Sequence, residues 1–392
     1  RAGPPARPGG GAPGRTVRFK RLAGSPRLYL ARGFLAESEC DVMCRLAEGF
    51  GYRKTAYGRE TSDLEVAVLE DMFQRGQVPE RDARDGLAFL GNLAAWRATL
   101  GGPGTRMLTP QVREMLPARH TAAPRGPDEE DGEPVSRVAI PMHVDTLVED
   151  TYMTIIIYLR SVPAVHGGQT LFPLATVDGA SPLPAELLEA SREMIASGTW
   201  GLENSDPRLD TAAERLAAQA AASGRRKSGS LVWGYGGHGL AVSAKRGDAL
   251  CFYTRRPDGA VDPAAWHAVA ALEPAARAGR CVCQLFHCLP EASAVEELFF
   301  PFSSVPPPPT VPPPLGRDPA QRDRPEQASK DRAAGQVLQL PGVPPVSGEL
   351  AVYKQLQGSI LHGKLAAAWC ATNARLRPCK AAGVTFEVLG GS

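Results

Sequence analysis

Apolar residues spaced three or four positions apart mark the predicted helices of this chain. The segment Ser25–Gly49 has the pattern of a short strand followed by a helix, and Ser38 is the predicted N-cap because its hydroxyl can accept a hydrogen bond from the first turn. Helical spacing returns in Asp63–Gln74, Arg84–Thr99, Pro184–Ser223 and Leu350–Ala371. We expect the two segments after the first helix to support one face of a barrel.

Short runs of β-branched and apolar residues predict the strands. They lie at Thr154–Leu159, Leu240–Val242, Ala249–Tyr253, Arg280–Phe286 and Val384–Leu389. Leu240–Val242 and Ala249–Tyr253 are predicted to pair with each other through a turn at Lys245–Asp248, because Gly and Asp favour turns. The glycine loop before them carries His238, which we expect to face solvent. The pattern favours an α+β fold with a mainly β core.

Composition divides the chain into four parts. Residues 1–24 are rich in Gly, Pro and Arg, which predicts a disordered tail. One globular domain is expected over 25–290, with a helical insertion at about 176–230. A loop at 122–134 is expected to be exposed, and it lies shortly before His143 and Asp145. Residues 291–347 form a Pro-rich linker. Residues 348–392 regain helix and strand patterns without indicating a role.

Charge excludes one class of partner. The 392 residues include 44 basic and 42 acidic side chains, a net charge of +2, so no strong field favours nucleic acid. No apolar run approaches the roughly 20 residues that a membrane-spanning helix needs. The first residue is Arg1 rather than Met, so we expect the native start, with any targeting signal, to be missing.

Eight cysteines in a chain of this length do not indicate a disulfide-dense scaffold. Cys281 and Cys283 share one strand face, and buried free thiols are the preferred interpretation. A zinc site made of Cys281, Cys283, His287 and Cys288 is an alternative, but it lacks the usual paired spacing.

His143 and Asp145 form a His-X-Asp pair, and because side chains alternate on a strand they point to the same face. One imidazole and one carboxylate are two thirds of the facial triad that holds Fe(II) and leaves positions open for other ligands. The pattern is short, and a solvated pair on a hairpin would look the same.

Further motifs follow in order. They are the strand Thr154–Leu159 with its Tyr-Leu ending, GGQTLFP at Gly167–Pro173, GLAVSAKRGDALCFY at Gly239–Tyr253, Trp266-His267-Ala268, and Gly279–Phe286. Together with His-X-Asp, this ordered set resembles the prolyl 4-hydroxylase family of Fe(II)/2-oxoglutarate dioxygenases. The resemblance covers roughly Pro26–Pro290 and implies a double-stranded β-helix (jelly-roll) barrel.

The resemblance also implies the chemistry. His143, Asp145 and His267 would bind Fe(II), and a peptidyl proline would be hydroxylated by dioxygen. This hydroxylation would be coupled to decarboxylation of 2-oxoglutarate to succinate and carbon dioxide. Ascorbate is implied as a reductant, and the endoplasmic reticulum or secretory pathway is preferred over the cytoplasm.

The far carboxylate of 2-oxoglutarate needs a cation and a hydroxyl. Arg280 is preferred over Arg277 because strand alternation places it on the inward face, whereas a surface salt bridge is its structural alternative. Tyr158 matches a tyrosine of family relatives, with core packing as its alternative, and Thr170 is a second candidate. Trp266 is expected to pack in the core.

Two departures from the family pattern leave the substrate open. Val138–Pro141 stands where most members carry aromatic residues, and Arg53–Gly58 only faintly echoes the family's substrate segment. The same chemistry on another side chain or a small molecule is one alternative. A catalytically silent barrel is the other, acting as an interaction module with its Pro-rich linker bound by another protein.

Overall fold

In the computed structural model, the described part of the chain forms two β-sheets and five α-helices. The structure describes residues 15–54, 59–100, 106–115, 136–145, 151–177, 180, 182–223, 229–274, 276, 279–289, 379–381 and 384–389. The strands are β1 (Arg15–Ala23), β2 (Leu28–Ala31), β3 (Arg53–Lys54), β4 (Arg59–Asp63), β5 (Arg106–Met107), β6 (Gln111–Met115), β7 (Val138–His143), β8 (Thr151–Tyr158), β9 (Thr170–Thr176), β10 (Ser230–Trp233), β11 (His238–Ser243), β12 (Ala249–Tyr253), β13 (His267–Ala270), β14 (Arg280–Cys288), β15 (Cys379–Ala381) and β16 (Val384–Leu389). The helices are α1 (Glu37–Phe50), α2 (Val66–Gln74), α3 (Glu80–Leu100), α4 (Ala185–Ser197) and α5 (Pro207–Ala222).

The strands form an 11-stranded sheet and a 5-stranded sheet. The larger sheet runs β15-β16-β1-β2-β12-β8-β14-β6-β4-β3, with β5 also beside β14, and the smaller one runs β10-β11-β9-β13-β7. Among the described strands, β1 and β16 pair in parallel and the other pairs are antiparallel. From β6 to β9, and again from β11 to β14, consecutive strands alternate between the two sheets.

The two sheets face each other across a shared apolar layer. Ile156 and Phe252 of the larger sheet lie in one buried cluster with Phe172 and Leu240 of the smaller sheet. The predicted α+β architecture with a mainly β core is therefore confirmed, since both sheets bury their inner faces against each other.

Helices cover the outer faces of both sheets. Met43 and Leu46 of α1 pack with Ile155 and Cys283 of the larger sheet. Helices α4 and α5 lie within the predicted insertion at 176–230, and Leu209 of α5 packs with the smaller sheet in a second cluster. Because helices cover the outer face of the larger sheet, all eight residues of β8 are buried.

The prediction of a disordered tail over residues 1–24 is wrong for Arg15–Ala23, which forms β1. Val17 and Phe19 are buried, whereas the intervening Arg18 is exposed, which is the period of a strand. The basic composition of this segment concealed the alternation. Residues 1–14 lie outside the described part of the chain.

Two local predictions are also corrected. Helix α1 begins at Glu37, so Ala36 rather than Ser38 is the N-cap, and its backbone N–H donates to the Glu39 carboxylate at 2.6 Å. The predicted pairing of Leu240–Val242 with Ala249–Tyr253 is wrong, because β11 lies in the smaller sheet and β12 in the larger one. The turn before Asp248, closed by its N–H donating to the Lys245 carbonyl, carries the chain from one sheet to the other.

Val384–Leu389 is a strand as predicted, and it extends the larger sheet beside β1. The loop at 122–134, the Pro-rich linker at 291–347 and the predicted helix at Leu350–Ala371 lie outside the described residues. Within the described chain, no helix has the length and apolar character needed to span a membrane.

Candidate metal centre and adjoining anion pocket

Three side chains converge beside strands β7 and β13, at one side of the smaller sheet. The ligand atoms of His143, Asp145 and His267 all lie within 4.8 Å of one another. The Nε2 atom of His143 is 3.6 Å from Asp145 Oδ1, and the Nε2 atom of His267 is 3.4 Å from Asp145 Oδ2. Two imidazoles and one carboxylate are the donor set of a facial triad, which suits Fe(II).

Strand pairing places the two histidines side by side. His143 ends β7, His267 begins β13, and the two residues are direct partners in the antiparallel ladder. The Nδ1 atom of His143 lies 2.8 Å from the Pro141 carbonyl, and that of His267 lies 3.1 Å from the Ala265 carbonyl. A carbonyl at Nδ1 requires a proton there, which leaves Nε2 as the metal-binding atom.

Asp145 follows β7 on a bend, where the backbone no longer fixes side-chain direction as a strand does. Its Oδ2 atom accepts hydrogen bonds from Thr154 Oγ1 at 3.0 Å and from Gln284 Nε2 at 3.4 Å. Burial opposes ionisation of this carboxyl, but its interactions with the neighbouring His267 and His143 outweigh burial and hold the pKa of Asp145 well below its usual range. Asp145 is therefore a carboxylate at neutral pH.

Aromatic rings and a backbone contact form the walls around these ligands. The His267 ring stacks on Phe172 with centroids 5.5 Å apart and meets Phe252 edge-on at 4.8 Å. Gly201 bridges to His143, with a backbone φ of +97°, and an added Cβ there would lie 2.0 Å from the Met142 carbonyl oxygen. This close approach requires glycine, and nothing in the local sequence indicated it.

A second polar group lies between the two sheets. Arg280 of β14 is 5% exposed and donates from Nη2 to Thr170 Oγ1 at 3.2 Å. The Tyr158 hydroxyl and the Thr170 hydroxyl are 2.8 Å apart, and both residues are buried. The structure thus brings together the three side chains that the sequence named for the far carboxylate of a 2-oxo acid.

Arg280 is a buried cation with no carboxylate within 4.0 Å among the described residues. Its Nε atom is buried without a hydrogen-bond partner, and burial lowers the pKa of its guanidinium. Burial likewise raises the pKa of Tyr158, so its hydroxyl stays protonated and can donate. A buried, uncompensated charge is costly, so this arrangement indicates a site for an anion.

The two histidines of the metal-ligand cluster and the buried arginine line the same cavity. Its lining includes His143, His267, Arg280, Gln284 and Arg113. The last two were not identified from the sequence. Both lie on strands whose inward faces alternation could have indicated, but their proximity to Asp145 depends on strand pairing.

The other candidate residues from the sequence do not form part of this site in the described chain. Cys281 and Cys283 are buried free thiols in the cluster beneath the helices, and the zinc alternative does not form a ligand group among the residues that the structure describes. Trp266 is fully buried, as expected for a core residue. His238 is half-buried at the start of β11 rather than solvent-facing. Arg277 lies outside the described residues.

No family model matches the sequence, and no curated protein matches it. Among solved structures, the viral collagen prolyl hydroxylase vCPH from Paramecium Bursaria Chlorella virus-1, in complex with 2OG, is 13% identical and has a TM-score of 0.32, over 67% of this chain and 96% of that chain. HygX from Streptomyces hygroscopicus, with nickel and 2-oxoglutarate bound, is 11% identical with a TM-score of 0.34, over 68% and 84% of the two chains.

A third match is SnoK, a non-heme alpha ketoglutarate dependent carbocyclase from nogalamycin biosynthesis. It is 12% identical with a TM-score of 0.36, over 67% of this chain and 80% of that chain.

Proposed function

We propose that this protein is an Fe(II)- and 2-oxoglutarate-dependent dioxygenase built on a double-stranded β-helix, and that it hydroxylates peptidyl proline. The observation that carries the proposal is one cavity lined by both the two histidines of the metal-ligand cluster and a buried arginine without a carboxylate partner in the described chain. A cofactor that binds a metal at one end and carries a carboxylate at the other fits this combination.

The residues present fit an iron(II) ion. His143, Asp145 and His267 would hold it from one side, and the two Nε2 atoms already point toward the carboxylate. When bound, the metal supplies the activation of dioxygen that accompanies decarboxylation of the 2-oxo acid. The burial of His267 at 2% exposure keeps water away from this side of the ligand set.

Arg280 would bind the far carboxylate of 2-oxoglutarate. Its guanidinium can donate two parallel hydrogen bonds to a carboxylate. Thr170 is hydrogen-bonded to both Arg280 and Tyr158, so the Tyr158 hydroxyl is a second candidate donor to that carboxylate. An anion there would compensate the charge that the apolar surroundings leave unpaired. The same pocket discriminates against neutral oxo compounds, which would leave Arg280 buried without a counter-charge.

Peptidyl proline as the substrate, and ascorbate as the reductant, are supported by the ordered motifs of residues 136–290. The substitution of Val138–Pro141 for aromatic residues favours a second candidate, the same chemistry on another side chain or on a small molecule. The proposed partners are a proline-containing peptide and dioxygen, with the Pro-rich linker a proposed binding element for another protein.

Succinate formation tests the activity directly. Purified protein with Fe(II), 2-oxoglutarate and a Pro-rich peptide should produce succinate, and mass spectrometry should find one added oxygen on proline. Succinate without oxygen on proline would favour the second candidate. Tight Fe(II) binding without succinate on any substrate class would instead favour a silent interaction module.

The ligand assignment has its own test. His143→Ala, Asp145→Ala and His267→Ala should each abolish turnover and weaken metal binding, because each removes one of three protein ligands. His238→Ala is the matched control, since this histidine lies outside the cluster. Full activity in a ligand variant would show that its residue does not bind the metal.

A further inference from the structure

The three candidate ligands are held in place by different means. The histidines sit on paired strands and have backbone carbonyls at Nδ1. Asp145 lies on the bend after β7, and rotation of its carboxylate about the Cβ–Cγ bond has a broad energy minimum. The direction of its two oxygens must therefore be set by side chains that donate to it.

Gln284 is one of these donors, and its position is unusual. It is 6% exposed, lies in β14 and aligns with Ile156 of β8, so it projects from the same strand face as Arg280. Its Nε2 atom reaches Asp145 Oδ2 across 139 residues of sequence, and its side chain lines the cavity shared with His143 and His267. One strand thus carries a group toward each end of the proposed 2-oxo acid site.

We propose that Gln284 is a positioning residue for the metal centre: its amide, with the Thr154 hydroxyl, holds one oxygen of Asp145 and so directs the other toward the metal. This inference rests on the proposed function, because it assumes that the cluster binds a divalent cation. The amide is suited to the task because it donates without carrying a charge that would compete with the metal for Asp145.

The expected consequence is a loss of metal affinity rather than of folding. Groups that orient a metal ligand typically contribute about 10–100-fold in affinity. Both oxygens of Asp145 face the histidine Nε2 atoms while Thr154 and Gln284 donate to Oδ2. Without the amide, the carboxylate can rotate away from this orientation, and metal binding must then restore it. We therefore expect Gln284→Met to raise the Kd for Mn(II) by about tenfold or more.

The experiment measures Mn(II) binding by calorimetry and by electron paramagnetic resonance, with Mn(II) alone as the probe. Gln284→Met removes the amide and keeps the approximate volume, and Gln284→Asn keeps an amide that is too short to reach Asp145. Gln219→Met is the matched control, because Gln219 in α5 donates its amide to the Trp233 carbonyl, at 3.2 Å, outside the metal-ligand cluster. Thermal unfolding without metal reports whether each variant is folded.

Weaker Mn(II) binding and an altered resonance spectrum in both Gln284 variants, with Gln219→Met unchanged, would support the inference. Wild-type affinity in both Gln284 variants would overturn it and leave the proposed function intact. Equal losses in Gln219→Met would also overturn it, since the effect would then be general. A wild-type protein that binds no Mn(II) would overturn the proposed function and this inference together.

Discussion

Replacing Arg280 with methionine should separate binding of the 2-oxo acid from stability of the fold. The guanidinium is buried at 5% exposure and donates to Thr170 at 3.2 Å. A hydrogen bond between charged groups contributes about 1.5–3 kcal/mol, so its loss should raise the Kd for 2-oxoglutarate by roughly 10–150-fold. Arg280→Lys should give an intermediate value, since an ammonium acts as a point charge without the planar fork.

The stability of the ligand-free protein should not fall in Arg280→Met, although its affinity for 2-oxoglutarate does. Arg280 has no carboxylate partner within 4.0 Å in the described chain, so its burial costs free energy that methionine does not. The hydroxyls of Tyr158 and Thr170 stay paired with each other at 2.8 Å when the guanidinium is gone. We expect the free energy of unfolding of ligand-free Arg280→Met to be unchanged or higher than that of the wild type.

The assay is calorimetric titration of 2-oxoglutarate into Mn(II)-loaded protein, which prevents turnover, combined with urea unfolding of the metal-free protein. Arg277→Met is the control, because the sequence left Arg277 as the rival anchor. The reasoning would be refuted if Arg277→Met lost 2-oxoglutarate affinity and Arg280→Met did not. Unchanged affinity in Arg280→Met with a stability loss of about 3 kcal/mol would identify Arg280 as a structural residue instead.

Three further outcomes follow from the fold. Gly201→Ala should reduce both the stability of the protein and its affinity for Mn(II), by roughly 1–3 kcal/mol or more, because alanine is strained at φ +97° and its Cβ would lie 2.0 Å from the Met142 carbonyl oxygen. Calorimetry and urea unfolding measure these changes, and wild-type values would contradict the close approach. Burial raises the pKa of the Cys40 thiol from 9.0 to about 11, so the stability that the buried thiol contributes is complete below pH 9 and is lost as the pH rises toward 11. The Tm should therefore fall less between pH 9 and 11 in Cys40→Ala than in the wild type, and an equal fall would argue against this effect. Deleting Val384–Leu389 should lower Tm, since β1 loses a backbone ladder whose bonds each contribute about 1 kcal/mol, and an unchanged Tm would show that this strand does not support β1.

The sequence alone predicted which residue types face inward. Strand alternation correctly placed Arg280 on the inward face of its strand, because the side-chain period of a strand is a local property. The His-X-Asp pair was identified from the sequence, but Asp145 lies on a bend after β7 rather than on the strand that alternation assumed. The order of motifs added His267, Tyr158 and Thr170. The structure brings all six side chains to one cavity or its immediate wall.

Local patterns could not indicate which strands become neighbours. The turn at Lys245–Asp248 looks like the turn of a hairpin, yet it joins two different sheets, because the choice depends on apolar faces elsewhere in the chain. For the same reason, β1 is a strand although its composition resembles that of a disordered tail, because Val17 and Phe19 pack into the hydrophobic core.

The contacts that support the candidate metal centre depend on tertiary structure alone. Gln284 lies 139 residues from Asp145, and Gly201 lies 58 residues after His143 in sequence but bridges to it. Gln284 lies within the motif Gly279–Phe286 and Gly201 lies outside the motifs, but neither position indicated its contact, since a glutamine in a strand and a glycine in a loop are compatible with many environments. Their contacts arise only when the two sheets close around a shared core, because pairing and packing set distances that periodicity along one strand does not contain.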